Sequence, residues 1–94
     1  MDMRRLVGRN VKRIRLEKGL TQEQFAERSG FTQQYLSDLE RGLRNPTVVT
    51  LFELSQALGV EPVTLVTPDE EALAGDAQRM KSRKNLIGRK TGKA

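Results

Sequence analysis

The sequence predicts an all-α domain of five short helices, and three observations carry the prediction. Apolar residues recur at three- and four-residue spacing from Leu6 to Leu65, the period of helices that bury one face. Threonine or proline stands at the start of four such runs (Thr21, Thr32, Thr47, Pro62), and glycine follows the first four of the five (Gly19, Gly30, Gly42, Gly59), as helix caps favour. No alternating strand pattern appears in this region. The chain has 94 residues and a net charge of +5, enough for one small domain with a modest core.

A first helix spans about residues 3–18, with Leu6 or Val7, Val11, Ile14 and Leu20 as its apolar stripe. Arg4, Arg5, Arg9, Lys12 and Arg13 occupy its other faces and read as a solvated face before a phosphate-contacting one. The second helix, about 21–29, opens on Thr21, and Gln24 three residues on completes the T-x-x-Q form of a capping box. Phe25, Ala26 and Ser29 face inward, and Ser29-Gly30 ends it. The third helix, about 32–41, is capped by Thr32, with Leu36, Leu39 and Leu43 at helical spacing and expected in the core. A fourth runs from Thr47 to about Leu58 with Val48, Leu51, Leu54 and Leu58 inward, and its first amides suit a phosphate. A fifth starts at Pro62 and ends near Val66. Leu58, Val60, Val63, Leu65 and Val66 offer more apolar area than one small core needs, and that region is expected to contribute to self-association.

Helices 21–29 and 32–41 with the tight turn between them form a unit able to set the second helix in a major groove. On its polar face Gln33, Gln34, Ser37, Asp38 and Arg41 follow an i, i+1, i+4, i+5, i+8 pattern. Glutamine presents a donor and an acceptor on one planar amide, matching the N6 and N7 edge of adenine. Two adjacent glutamines in the first turn reach deepest, because recognition helices read mainly with their N-terminal residues. Ser37 can bond a base edge or a phosphate. Asp38 can accept from cytosine N4, and it also repels phosphate. Arg41 and Arg44 suit the backbone, as do the flanking Thr32, Tyr35 and Asn45, although Tyr35 can instead cover the edge of the core. A plain solvated face would also carry these polar residues, but it explains neither the paired caps nor the turn.

The stretches GLTQEQFAERSG, TQQYLSDLERG and NPTVVTLFELSQALGV resemble the helix-turn-helix domain of the lambdoid phage repressor and Cro proteins, the Cro/C1-type or XRE family. The likeness runs from about Leu6 to Leu65, and Thr32-Gln33-Gln34 is especially similar to the opening of a phage recognition helix. It implies a compact five-helix, lambda-repressor-like DNA-binding domain. It also implies Gln33 and Gln34 as base readers, Gln22 as a phosphate clamp, and an internal ion pair between Arg15 and Glu40. Asp38 departs from the closest phage relatives, which carry a glutamine there; this leaves the target sequence open and the binding mode intact.

The division expected is a DNA-binding domain over 1–67 and a charged C-terminal tail over 68–94. Residues 69–78 hold four acids and no base, and residues 79–94 hold seven bases and no acid. The tail reads as solvated, or as an arm adding phosphate contacts. Cysteine and histidine are absent, which excludes zinc fingers and thiol or imidazole catalysis. No nucleophile and base can be paired, so the chain is not expected to be an enzyme. Gly88 to Lys93 is one residue short of a phosphate-binding loop, and Asn45-Pro46-Thr47 is no glycosylation site. No leader or membrane-length apolar run is visible. The expectation is therefore a cytoplasmic, sequence-specific regulator, in the first instance a repressor, that binds double-stranded DNA as a homodimer. It needs no cofactor, metal, membrane or small-molecule ligand. Two alternatives stay open: an antitoxin or restriction–modification controller of the same fold, and a protein-interaction module whose DNA binding is incidental.

Overall fold

Four of the five helices start where a side chain takes up free backbone amides, the fifth starts on a proline, and the chain turns where glycine permits it. A computed structural model describes residues 1–68; the expected tail, residues 69–94, lies outside the described residues. Helix α1 (Met3–Glu17) is capped by Asp2, whose carboxylate accepts from the amides of Arg4 and Arg5. Helix α2 (Gln22–Ser29) begins with the expected capping box. The Thr21 hydroxyl accepts from the Gln24 amide at 3.0 Å, and the Thr21 amide donates to Gln24 Oε1 at 2.9 Å. Gly30, at φ 84°, closes it in the left-handed region that a side chain rarely enters. Helix α3 (Gln33–Glu40), α4 (Val48–Leu58) and α5 (Pro62–Val66) follow. Thr32 and Thr47 cap α3 and α4 through bonds from the Tyr35 and Thr50 amides, each 3.0 Å. The five elements are all helical, and the described residues contain no strand.

One stripe from each helix meets in the middle. Val7, Val11 and Ile14 of α1, Phe25 of α2, Leu36 and Leu39 of α3, Leu54 and Leu58 of α4 and Leu65 of α5 form a single buried cluster. Helix α1 packs on α3 and α5, α2 on α3 and α4, and α4 on α5. Truncating one such leucine to alanine typically removes about 2–5 kcal/mol, from a total of only about 5–15 kcal/mol. The domain therefore has little reserve. A buried polar residue ties its two ends together. Asn10 Nδ2 donates to the carbonyls of Leu65 and Thr67 at 2.9 and 3.0 Å, and Asn10 Oδ1 accepts from Arg13.

Three expectations need correction. Leu43 is 62% exposed because α3 ends at Glu40 and Gly42, at φ 79°, swings the chain out of the helical register. Val48 is 82% exposed: the first turn of α4 stands clear of the core, and the inward stripe begins at Leu51. Leu20 packs against the core from the loop after α1 rather than from its stripe. The apolar surplus at the domain's end is also smaller than the sequence suggests. Leu58 and Leu65 are core and Val60 and Val66 pack on it, leaving Val63 as the exposed one of the five. Larger apolar exposure lies on α4, at Val48, Val49 and Phe52. No helix of the described residues is long and apolar enough to cross a membrane.

Candidate nucleic-acid interface

Helix α3 is held from behind by an internal ion pair and turns its polar face outward. Leu36, Leu39 and Glu40 are buried, whereas Gln33 and Gln34 are exposed and Ser37 and Asp38 are half-buried beside them. Glu40 meets Arg15 of α1 in a two-pronged contact: Arg15 Nε donates to Oε2 at 2.6 Å and Nη2 donates to Oε1 at 3.0 Å. Both side chains are under a tenth exposed. Arg15 Nη1 also donates to the Leu20 carbonyl at 2.8 Å. This bidentate geometry is the strong form of a charged hydrogen bond. Its effect is orientation: α1, the α1–α2 loop and the end of α3 are fixed to one another.

Gln22 joins the same group, because its Nε2 donates to Glu40 Oε1 at 3.1 Å. An amide nitrogen has two hydrogens, so one remains for an acceptor outside the protein. Gln22, at the first position of α2, is thus aimed by the pair that braces α3.

Asp38 stands at the centre of a second group. Gln34 Nε2 donates to its Oδ1 at 3.0 Å, Arg41 Nη2 donates to the same oxygen at 2.7 Å, and Arg44 Nη2 donates to Oδ2 at 3.4 Å. The hydrogen bond from Arg41 is the largest influence holding this carboxyl below the usual carboxylate range; partial desolvation opposes it, and Gln34 and the two arginine charges add to it. A depressed acid contributes above its unfolded value and loses that contribution as pH falls through its folded one. The cluster therefore persists through neutral and mildly acidic pH and opens only below the ordinary aspartate range.

Tyr35 closes one flank. Its ring stacks on Phe31 with centroids 5.1 Å apart, and the Arg44 guanidinium lies 5.2 Å from its centroid. Burial raises the phenol above its ordinary value, with the charge of Arg44 opposing. It stays a neutral O–H donor, the form that can bond a phosphate. The ring also packs against the core, as the reading of Tyr35 as a cover for the core edge requires. Thr32 is exposed with its hydroxyl engaged as the cap of α3, and Asn45 is exposed next to Arg44.

Two contacts that sequence reasoning passed over set this geometry. A methyl group on Gly8 of α1 would run into the carbonyl oxygens of Leu39 and Glu40, the latter at 2.8 Å. Only a residue without a side chain lets α1 come this close to the end of α3. A methyl on Gly42 would lie 2.9 Å from Arg5 Cγ, which places Arg5 against the turn that carries Arg41 and Arg44. Neither contact leaves a signal in a single sequence, because the partners are more than thirty residues apart.

Two helices joined at a glycine turn, the second braced and polar, define the helix-turn-helix class. The chain belongs to that family: the helix-turn-helix family HTH_3 matches it over residues 11–65. A relative, an HTH-type transcriptional regulator of Sinorhizobium fredii, is 68% identical over 75 residues, covering 80% of this chain and 97% of its own. Among solved structures, a hypothetical transcription factor from Neisseria superposes with a TM-score of 0.71 at 32% identity, covering 78% of this chain and 84% of that one. The restriction–modification controller protein C.Esp1396I, solved as a tetramer with its natural 35-base-pair operator, gives a TM-score of 0.64 at 37% identity, covering 69% and 86%.

Proposed function

We propose that this protein is a DNA-binding transcription regulator that occupies a short operator as a homodimer in the cytoplasm and represses from it. The observation that carries the reading is the pairing of an exposed Gln33-Gln34 edge with a braced back at Glu40. Reading bases demands a helix held to within a fraction of an ångström, and a merely solvated helix has no need of a buried ion pair behind it. In this reading Gln33 and Gln34 bond adenine edges and Ser37 reaches a base or the backbone. Gln22, Thr32, Tyr35, Arg41, Arg44 and Asn45 meet phosphates on either side. The DNA-binding unit is residues 1–67, and the tail from 68 adds non-specific affinity through its basic half.

The test is affinity selection of a randomised duplex pool by the purified full-length protein near physiological salt. A two-fold-symmetric site with half-sites about one helical turn apart is expected. In the selected site Gln33→Ala should cost about 1–3 kcal/mol at one base position and leave binding to random DNA unchanged. Equal loss on both would refute base reading.

The likeness to C.Esp1396I with its operator favours a second, narrower reading, a controller of a restriction–modification system. The DNA chemistry is then the same and the regulated gene differs. A nuclease and methyltransferase pair beside the gene would support it, and a neighbourhood without them would remove it.

A further inference from the structure

Asp38 stands on the reading face with an acceptor suited to cytosine, yet both of its oxygens already have partners within the protein. Oδ1 accepts from both Gln34 and Arg41, and Oδ2 accepts from Arg44. Its side chain is 17% exposed, while Arg41 and Arg44, which cover it, are 61% and 47% exposed. An approaching duplex therefore meets guanidinium rather than carboxylate. Three of its roughly four acceptor sites are filled from within the protein, so a cytosine amine would have to share Oδ2 with Arg44.

We propose that Asp38 is a positioning residue: it holds the Gln34 amide in one orientation and thereby makes the base pair facing Gln34 an adenine in preference to a guanine. This rests on the reading of α3 as a major-groove helix given above. The argument is a count of hydrogens. A side-chain amide has two N–H donors on one nitrogen and an acceptor oxygen. A free glutamine meets adenine by accepting from N6 and donating to N7, or meets guanine by aiming both hydrogens at O6 and N7. Gln34 has one hydrogen committed to Asp38. The remaining hydrogen and the oxygen suffice for adenine, but guanine has lost a donor and faces an acceptor against its O6. The same carboxylate tethers Arg41 and Arg44 beside the groove and cancels its own repulsion of phosphate.

The experiment is duplex selection with the full-length protein, comparing wild type with Asp38→Ala, Asp38→Asn and Gln34→Ala, each checked for native helicity. At one base position Asp38→Ala is expected to lower the adenine-to-guanine ratio roughly tenfold, the equivalent of about 1.4 kcal/mol, with other positions unchanged. Gln34→Ala should erase the purine preference at that same position. Asp38→Asn, which keeps one acceptor for the Gln34 amide, should retain most of the adenine choice, a rescue that a purely electrostatic or folding role does not predict. Loss of a cytosine at a separate position would overturn the proposal and make Asp38 a direct reader. Uniform weakening on every sequence, or an unchanged purine ratio in a wild-type-like site, would overturn it while leaving α3 as the reading helix. A wild-type protein that enriches no sequence overturns both.

Discussion

Glu40 carries a negative charge into the interior of a domain with little stability to spare. Its carboxylate accepts from Arg15 twice and from Gln22 once, so the two buried charges are matched. Removing one partner is costly because the other remains buried and charged. Glu40→Ala should destabilise by about 3–5 kcal/mol, read as a lower urea midpoint at unchanged m-value. Replacing both, as Arg15→Met with Glu40→Leu, should recover most of that loss, since well-packed apolar pairs often equal a buried ion pair. Recovered stability with normal DNA affinity would refute the role given to the pair, whose value lies in aiming Gln22 and α3. At this scale the sequence is legible where the chemistry is local. The Thr21–Gln24 box and the Thr32 and Thr47 caps join residues three apart, and such spacing is visible in one chain. The Asp38 cluster was half legible. Its partners lie at i−4, i+3 and i+6, within one helix and its exit, but residue type alone leaves Asp38 equally suited to a base.

Between elements, the decisive feature is an absence of side chain. Helix α1 passes so near the end of α3 that Gly8 faces the Leu39 and Glu40 carbonyls directly. Those atoms are backbone and cannot rotate away. Gly8→Ala must push α1 off α3, and overpacking of this kind costs about 1–3 kcal/mol or more, despite alanine's better helix propensity. The displacement also pulls Arg15 from Glu40. The variant should therefore lose specific DNA affinity beyond what its lowered melting temperature explains, measured well below that temperature. Full affinity in a destabilised but folded Gly8→Ala protein would show that the crossing serves stability alone. Helix existence and order were readable because apolar periodicity survives in every element. What periodicity cannot show is where a stripe stops. Leu43 and Val48 continue the pattern of α3 and α4 in sequence, but one lies past a glycine turn and the other in a first turn that overhangs the core. Asn10 was equally silent, since its partners Leu65 and Thr67 lie more than fifty residues on.

The whole molecule must explain how so small a reading surface finds an operator. Helix α3 has eight residues, about 12 Å at 1.5 Å per residue, enough to span roughly four base pairs at about 3.4 Å each. A four-base-pair word recurs every few hundred positions, whereas a genome offers about 10⁶–10⁹ competing sites. One copy of this chain cannot discriminate at that level, and two copies on a symmetric site square the odds. Salt dependence counts the copies. Each neutralised phosphate adds about 0.9 to the slope of affinity against salt on logarithmic axes. Arg44 is suited to this measurement because it makes the longest of the three bonds to Asp38, at 3.4 Å, and its removal leaves the Gln34 and Arg41 bonds to Oδ1 in place. Arg44→Ala should flatten the slope by about two units if a dimer brings two such side chains to the backbone, and by about one if a single copy binds. An unchanged slope would remove Arg44 from the phosphate contacts altogether. The same titration on a duplex carrying only half of the selected site should show the one-unit change, because a lone half-site engages one recognition helix even when the protein in solution is paired.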